Sequence, residues 1–243
     1  YTLSLHDALP ILLKLLERNQ NLFARTDLDL GKTDTVQMSI DTQGHEPIKN
    51  RPYRAPLNTR KLIDKAVDEM LEAKIIERSR SPWSFPCVLV EKKNTEDKRF
   101  CVDFRSLNKI TKPISYPLPL IDDILGQLGK AKYFTALDLK SGYWQIGLTP
   151  ESRPKTAFTC HRGLFQFLRM PFGLKTGPAV FQELMNIVLE GYESFSFAYL
   201  DDVLIFSPDP ESHLRHIQMV LDRLQQHGLK LKQKKCKLDR KST

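Results

Sequence analysis

Two adjacent carboxylates inside an apolar β run constrain this chain more than any other feature. The segment is Phe195-Ser196-Phe197-Ala198-Tyr199-Leu200-Asp201-Asp202-Val203-Leu204-Ile205-Phe206. Buried carboxylates repel one another and resist ionisation unless a cation compensates. Successive residues on a strand point to opposite faces, so a tight hairpin at 200–202 is needed for both acids to approach one site. A plain surface turn also uses Asp, commonly as Asp-Gly. Here no Gly is present and the flanks are unusually apolar, which favours a metal site and leaves the turn as the alternative.

A second acid strengthens the metal reading. Asp138 stands alone in the apolar strand Tyr133 to Leu139 and is followed by Lys140-Ser141-Gly142-Tyr143, a break with a small residue before an aromatic. A lone Asp in a buried strand needs a partner, either a cation or a buried Lys or Arg. Three hard oxygen donors from two strands suit Mg²⁺, which keeps waters and takes phosphate oxygens from a substrate. Two such ions ~4 Å apart can activate an attacking hydroxyl and stabilise a leaving pyrophosphate.

Composition fits a phosphate-bearing partner. Lys and Arg number 37 against 29 Asp and Glu, a net charge of +8. That balance favours a polyanion, nucleic acid first, although charge alone serves solubility equally well. With 41% hydrophobic and 27% charged residues in 243, the chain is neither disordered nor a coiled coil and can bury a real core. Cys87, Cys101, Cys160 and Cys236 are scattered without a CxxC pair, against a zinc site or a disulfide framework and in keeping with a reducing compartment. No apolar run reaches the ~20 residues of a membrane span, so no membrane partner is expected.

Periodicity predicts a helix over 58–77, capped by Asn58 or Thr59, with Leu62, Ala66 and Met70 on one face and Ile63, Val67 and Leu71 beside them. A hairpin follows, Cys87 to Val90 and Arg99 to Phe104 around the polar 94–97. A short helix is expected over 121–128, strands over 133–139 and 145–148, and a helix over 177–190. Asp209, Pro210 and Gly228 frame a helix over 210–227 with a stripe of Leu214, Ile217, Leu221 and Leu224. Residues 12–16 suggest a short helix, and the rest of 12–46 reads as a loop-rich leader.

The two ends carry a separate signal. Ala8-Leu9-Pro10-Ile11 can be encoded so that the reverse complement reads Asp-Arg-Lys-Ser, the residues at 239–242. Residues 1–11 and 239–243 therefore resemble translated arms of a sequencing-library adapter, and both are left out of the fold expectations. Native DNA at the source locus that lacks these codons is the expected result; matching codons would sink the idea.

In fixed order the chain carries SPWSFPCVLVEKK (81–93), RFCVDFRSLNKIT (99–111), YPLPLIDDILGQL (116–128), YFTALDLKSGYWQI (133–146), RPKTAF (153–158), MPFGLKTGPAVFQ (170–182) and YLDDVLIFS (199–207). Together these blocks resemble the reverse transcriptase of Ty3/gypsy-type long-terminal-repeat retrotransposons over nearly all of 36–237, and retroviral polymerases more distantly. The resemblance implies an α+β right-hand polymerase fold with fingers and palm only. Fingers are expected at 47–112 and 146–176, palm at 113–145 and 177–238. The family's thumb, connection, ribonuclease H and integrase are expected to be missing, which would impair an otherwise intact site.

The same resemblance implies an RNA-directed DNA polymerase that uses Mg²⁺, as two ions with Mn²⁺ as a substitute, held by Asp138, Asp201 and Asp202. It implies dNTP contacts from Lys92, Arg99, the backbone at Ser141 and Gly142, Tyr143 beneath the deoxyribose, and Phe172 on the nucleotide floor. Asp122-Asp123 is read as structural. Arg78, Arg80, Trp83, Arg105, Lys109 and Lys112 suit an RNA or DNA template-primer, and Lys230, Lys232, Lys234, Lys235 and Lys237 form a basic end. A cytoplasmic virus-like particle is the implied location. Two other functions compete. One is a non-catalytic nucleic-acid-binding remnant of a truncated element, which the intact acids, Arg99 and Tyr143 oppose. The other is an RNA-templated RNA polymerase, which Tyr143 opposes because ribonucleotides need room there.

Overall fold

The structure, a computed structural model, describes residues 5–26, 29–91, 98–117, 126, 128–129, 131–139, 141–199, 202–232 and 236–241. The chain divides into two compact units, one of 1–35, 116–142 and 179–243, the other of 36–115 and 143–178.

The first unit opens with helix α1, Leu5–Arg18. Its Leu12 and Leu15 are buried, and Asn19 Nδ2 donates to Leu15 O at 2.8 Å, closing the helix end. The helix is longer than the expected 12–16 and takes in residues assigned to an adapter scar. Helical hydrogen bonds are backbone bonds, so a segment's origin does not bar it from propagating a helix. Strand β1, Thr33–Met38, lies within the expected leader and crosses from the first unit into the second. Its burial does not alternate with period two, which is why no strand was legible there.

A four-stranded antiparallel sheet forms the body of this unit, in the order β11-β5-β10-β9. The strands are β5 (Tyr133–Asp138), β9 (Ser196–Tyr199), β10 (Asp202–Ser207) and β11 (Lys237–Lys241). In β5 and β10 the pairs run from Tyr133↔Ser207 to Asp138↔Asp202. Strand β11 joins the free edge of β5 although most of it was assigned to a scar; an exposed edge pairs through backbone groups whatever the side chains.

Two helices complete the unit. The helix over Gly177–Val188, most of which lies here, is two residues shorter than the expected 177–190; it buries Val180, Phe181, Leu184, Met185 and Val188 and leaves Ile187 exposed. The helix over Pro210–Gln226 starts as expected, with Asp209 Oδ1 accepting from Ser212 N at 2.8 Å. It ends at Gly228, where φ is +67° and a Cβ would stand 2.3 Å from Lys32 O, so only glycine fits. His213 and Val220 are buried on its inner face, whereas Leu214 is only partly so.

The second unit is built on a five-stranded sheet ordered β2-β8-β7-β3-β4. Its strands are β2 (Ile76–Arg78), β3 (Phe85–Glu91), β4 (Lys98–Val102), β7 (Phe158–Cys160) and β8 (Gly163–Phe167). The β3–β4 hairpin is as expected, while the β7–β8 hairpin was not read from the sequence. Short strand β6, Ile146–Leu148, pairs with β1. Helix α2 spans Leu57–Glu72 and buries Ile63, Val67 and Met70. It stops five residues before the expected Glu77, because Lys74 turns to φ +52° and the chain enters β2. Neither Asn58 nor Thr59 caps it; both lie inside the first turn, and Pro56 precedes the helix without a side-chain cap. Helix α3, Arg105–Ile110, follows β4. In chain order Gly177–Val188 is α4 and Pro210–Gln226 is α5. The helix expected over 121–128 lies mostly outside the described residues.

Candidate active site

The sequence marks Asp138 and Asp202 for metal binding, and the sheet pairs them. Asp138 ends β5, Asp202 begins β10, and the register sets them directly opposite. Opposed residues in an antiparallel pair share a face with Cβ atoms about 4.5–5.5 Å apart. Like charges so placed oppose folding unless something positive sits between them. Asp138 is half-buried and Asp202 exposed, so a cation could reach both from solvent. Asp201 and Lys92 lie outside the described residues, as does Asp122-Asp123. Among the described residues no group of three or more His, Cys, Asp or Glu could hold a metal. Two carboxylates on one face nonetheless offer the hard oxygen donors Mg²⁺ takes while keeping its waters.

The segments that bear these acids are braced from helix α4. Gly142 lies against Phe181: a Cβ there would fall 2.8 and 2.9 Å from two ring carbons, so the chain after Asp138 passes the ring only as glycine. Just before Gly142, Ser141 adopts φ +47°, an uncommon left-handed conformation of the kind found at ligand-binding turns. One residue along the helix, buried Gln182 donates from Nε2 to Ala198 O at 3.0 Å, near the end of β9. Sequence reasoning assigned no role to Phe181 or Gln182. A polar residue within an otherwise buried helix face is the signal that could have found Gln182.

Beneath the paired acids the two strands are tied to α5. Thr135 Oγ1 and Ser207 Oγ hydrogen-bond the two ring nitrogens of His213 at 2.8 and 2.9 Å. Ser207 Oγ also meets His216 Nδ1 at 2.8 Å, and His216 stacks on Phe195 with centroids 4.0 Å apart. Burial, aided by His216, pushes the His213 pKa down to about 4, so the ring is neutral near pH 7.

In the second unit Tyr143 stacks on Phe172, with centroids 5.2 Å apart and planes 21° from parallel, and Trp144 leans on the same Phe172. Phe172 is 37% exposed, so this aromatic platform has an open surface. Arg99 is exposed on β4 opposite Val90. Asp103 accepts from Arg105 Nε and Nη2 at 2.8 and 2.6 Å and from Tyr53 Oη at 3.0 Å. The Arg105 hydrogen bonds, foremost, hold the Asp103 carboxyl far below the usual carboxylate range. Trp83 was expected to face nucleic acid, but it is 6% exposed and packs near Phe85, because the large ring is better spent in the core. Arg78 instead lies over the Phe165 ring at 5.6 Å. At the basic end Lys230 is bound to Asp29, so it is an ion-pair partner and not a member of a free lysine run.

A four-stranded sheet with paired acids beside a helix-braced loop, together with a separate five-stranded sheet, has the character of a palm-and-fingers fold. Comparison with known proteins makes this specific. A family profile described as reverse transcriptase (RNA-dependent DNA polymerase) matches residues 90–242. The Pol polyprotein of transposon gypsy from Drosophila melanogaster is 38% identical over 93% of this chain and 22% of its own length. The enzymatic polyprotein of cauliflower mosaic virus, strain Strasbourg, is 36% identical over 94% of the chain and 34% of its own length. The foamy viral protease-reverse transcriptase dRH in complex with double-stranded DNA superposes with TM-score 0.89 at 24% identity, over 98% of this chain and 42% of that one. The foamy viral protease-reverse transcriptase in complex with an RNA/DNA hybrid gives 0.87 at 24% identity, over 96% and 31%. The chain belongs to the reverse transcriptase family; its fold matches the fingers-and-palm region of such enzymes, and its sequence is similar to Pol polyproteins of Ty3/gypsy-type retrotransposons. Divalent metal ions are that family's usual requirement. The chain spans about a fifth of the length of the first curated relatives it matches.

Proposed function

We propose that this domain transfers nucleotidyl units from dNTPs to a primer 3′-hydroxyl on an RNA or DNA template. The observation that carries the reading is the register that opposes Asp202 to Asp138 at the ends of two bonded strands. The division of the chain into 36–115 with 143–178 and the remainder supports reading fingers at 47–112 and 146–176 and palm at 113–145 and 177–238. Asp138, Asp201 and Asp202 would hold the metal. Two Mg²⁺, or Mn²⁺ in their place, would supply activation of the hydroxyl and neutralisation of the leaving pyrophosphate.

The remaining steps belong to the chain's own residues. The Arg99 guanidinium is a rigid fork that binds triphosphate oxygens two at a time, and Lys92 would supply a further point charge. Backbone N–H groups at Ser141 and Gly142 approach the triphosphate where no side chain blocks them. The Tyr143 ring, held flat by Phe172, packs under the deoxyribose and leaves no room for a 2′-hydroxyl. Positioning of this kind supplies a large part of the rate of a two-reactant step.

Primer extension on an RNA template tests the reading. Expected is Mg²⁺-dependent extension that Asp138→Asn abolishes. Mg²⁺ should also raise the melting temperature of the chain through mass action, and Asp138→Asn with Asp202→Asn should remove that shift. An equal response of wild type and double variant would overturn the site. A metal-dependent shift without extension, even with the neighbouring Pol segment restored, would favour the binding-only remnant.

A further inference from the structure

Outside the candidate active site, the fingers sheet holds an unassigned pair of thiols. Strands β3 and β7 are parallel neighbours paired at Phe85↔Phe158 and Pro86↔Thr159. One residue further along each strand stand Cys87 and Cys160. Alternation puts both on the face of the Phe85–Phe158 pair. Neighbouring strands lie about 4.7–4.9 Å apart, so the two side chains leave the sheet next to each other. Both are free thiols and both are buried. They line one cavity of about 430 Å³, whose wall also includes Tyr53, Arg60, Ile63 and His161.

His161 Nε2 is engaged by Asp64 Oδ1 at 2.8 Å, which anchors the ring to helix α2. Arg162 is held in turn by Asp68 at 2.6 Å. The soft donors of the cavity wall are the two thiols. Cys101 cannot join it: it pairs with Val88, whose side chain leaves β3 on the opposite face from Cys87.

We infer that Cys87 and Cys160 form a two-thiol site that takes one soft, thiophilic metalloid, a trivalent arsenical, bridged between both sulfurs. The reaction is a condensation. Two As–S bonds form, the As–O bond breaks, and the two thiol protons leave with the oxygen as water. Arsenic stays trivalent and no oxidant is needed. Once the first bond has formed, the second thiol attacks from the neighbouring strand at high effective concentration, which single-point reagents cannot exploit. Burial, above all, pushes the Cys87 thiol up to about 12, and the Cys160 thiol upward as well. Neither is a thiolate at neutral pH, so a simple alkylating agent meets two poor nucleophiles. The site therefore discriminates between one-point and two-point thiol reagents.

The experiment treats the folded full chain with phenylarsine oxide and reads intact mass and free thiols. Expected is one phenylarsenic group per chain and a fall from four free thiols to two. Cys101→Ser with Cys236→Ser should keep the adduct; Cys87→Ser or Cys160→Ser should lose it. Peptide mapping of the wild-type adduct needs no variant to fold and should join the peptide of Cys87 to that of Cys160. Iodoacetamide on the native chain should modify this pair at least tenfold more slowly than on the unfolded chain. No adduct on the folded protein, an adduct mapped to another cysteine, or an adduct that survives Cys87→Ser with Cys160→Ser would overturn the assignment.

Discussion

In the unit proposed as the palm, side-chain hydrogen bonds tie the sheet to a helix, whereas the unit proposed as the fingers packs its sheet with an aromatic cluster and bonds buried polar side chains such as Ser152 and Thr156 to nearby main chain. In the palm, Thr135, Ser207 and His213 are at most 3% exposed and link two strands to α5 through the imidazole ring. In the fingers, Phe85, Phe104, Phe158, Phe165 and Phe167 interlock at centroid distances of 5.4–6.4 Å, and the charges sit at the rim as Asp103–Arg105 and Arg162–Asp68. Apolar packing is non-directional and tolerates small shifts, while a buried hydrogen bond has a partner and an angle. The palm strands end in two acids that must face each other, and a slip of one residue would send one of them to the other face. A directional lock at Thr135 and Ser207 guards against that slip. The fingers sheet carries Arg99 on an exposed long side chain that can adjust, and packing suffices.

Removing an aromatic from the fingers core should have the largest effect on stability. Phe158 contacts Phe100, Phe165 and Phe167 and is fully buried. Phe158→Ala should cost about 3–5 kcal/mol in denaturant unfolding. Hydrogen exchange should show the loss in β3, β7 and β8 while β5 and β10 keep their protection. Equal loss in both sheets would break the distinction between the two cores.

Lowering pH should act on the palm. An unfolded His213 titrates near 6.5, the folded one near 4. Between those values the unfolded chain binds the extra proton, so this stabilisation is complete above about 6.5 and is lost as pH falls toward 4. A shift of this size corresponds to roughly 3 kcal/mol. His216, also lowered by burial, adds to the same slope. His213→Gln should flatten the dependence between pH 7 and 4.5, measured by urea titrations. An unchanged slope would remove the imidazole from its place as the palm's pH-sensitive tie.

Two smaller effects sharpen the contrast at helix ends. Asp209→Ala removes the acceptor for Ser212 N at the start of α5 and should cost about 1 kcal/mol. In the fingers, Lys74 holds a left-handed conformation after α2, so Lys74→Gly should stabilise by about 0.5–1 kcal/mol. Thermal unfolding of the two variants should shift in opposite directions; a Lys74→Gly chain that melts lower would mean that the lysine side chain makes a contact worth more than the backbone strain.

Local chemistry was legible without a structure wherever one segment carried the whole signal. Asp209, Pro210 and Gly228 framed α5 because capping depends on residues a few positions apart. The acid-bearing strands stood out because charge inside an apolar run is costly enough to need a reason. Ordered motif blocks carry the family resemblance in the sequence itself. Long-range pairing was decided elsewhere. Nothing local distinguishes β1 or the β7–β8 hairpin, which exist because partners distant in sequence complete their hydrogen bonds. The burial of Trp83, the lock on His213, the passage of Gly142 past Phe181 and the meeting of Cys87 with Cys160 depend equally on distant neighbours. The sequence alone determined which chemical groups the chain carries and the short-range geometry around them. Which groups face each other was decided only in the tertiary structure, because strand register and helix docking minimise the free energy of the whole chain and not of any one segment.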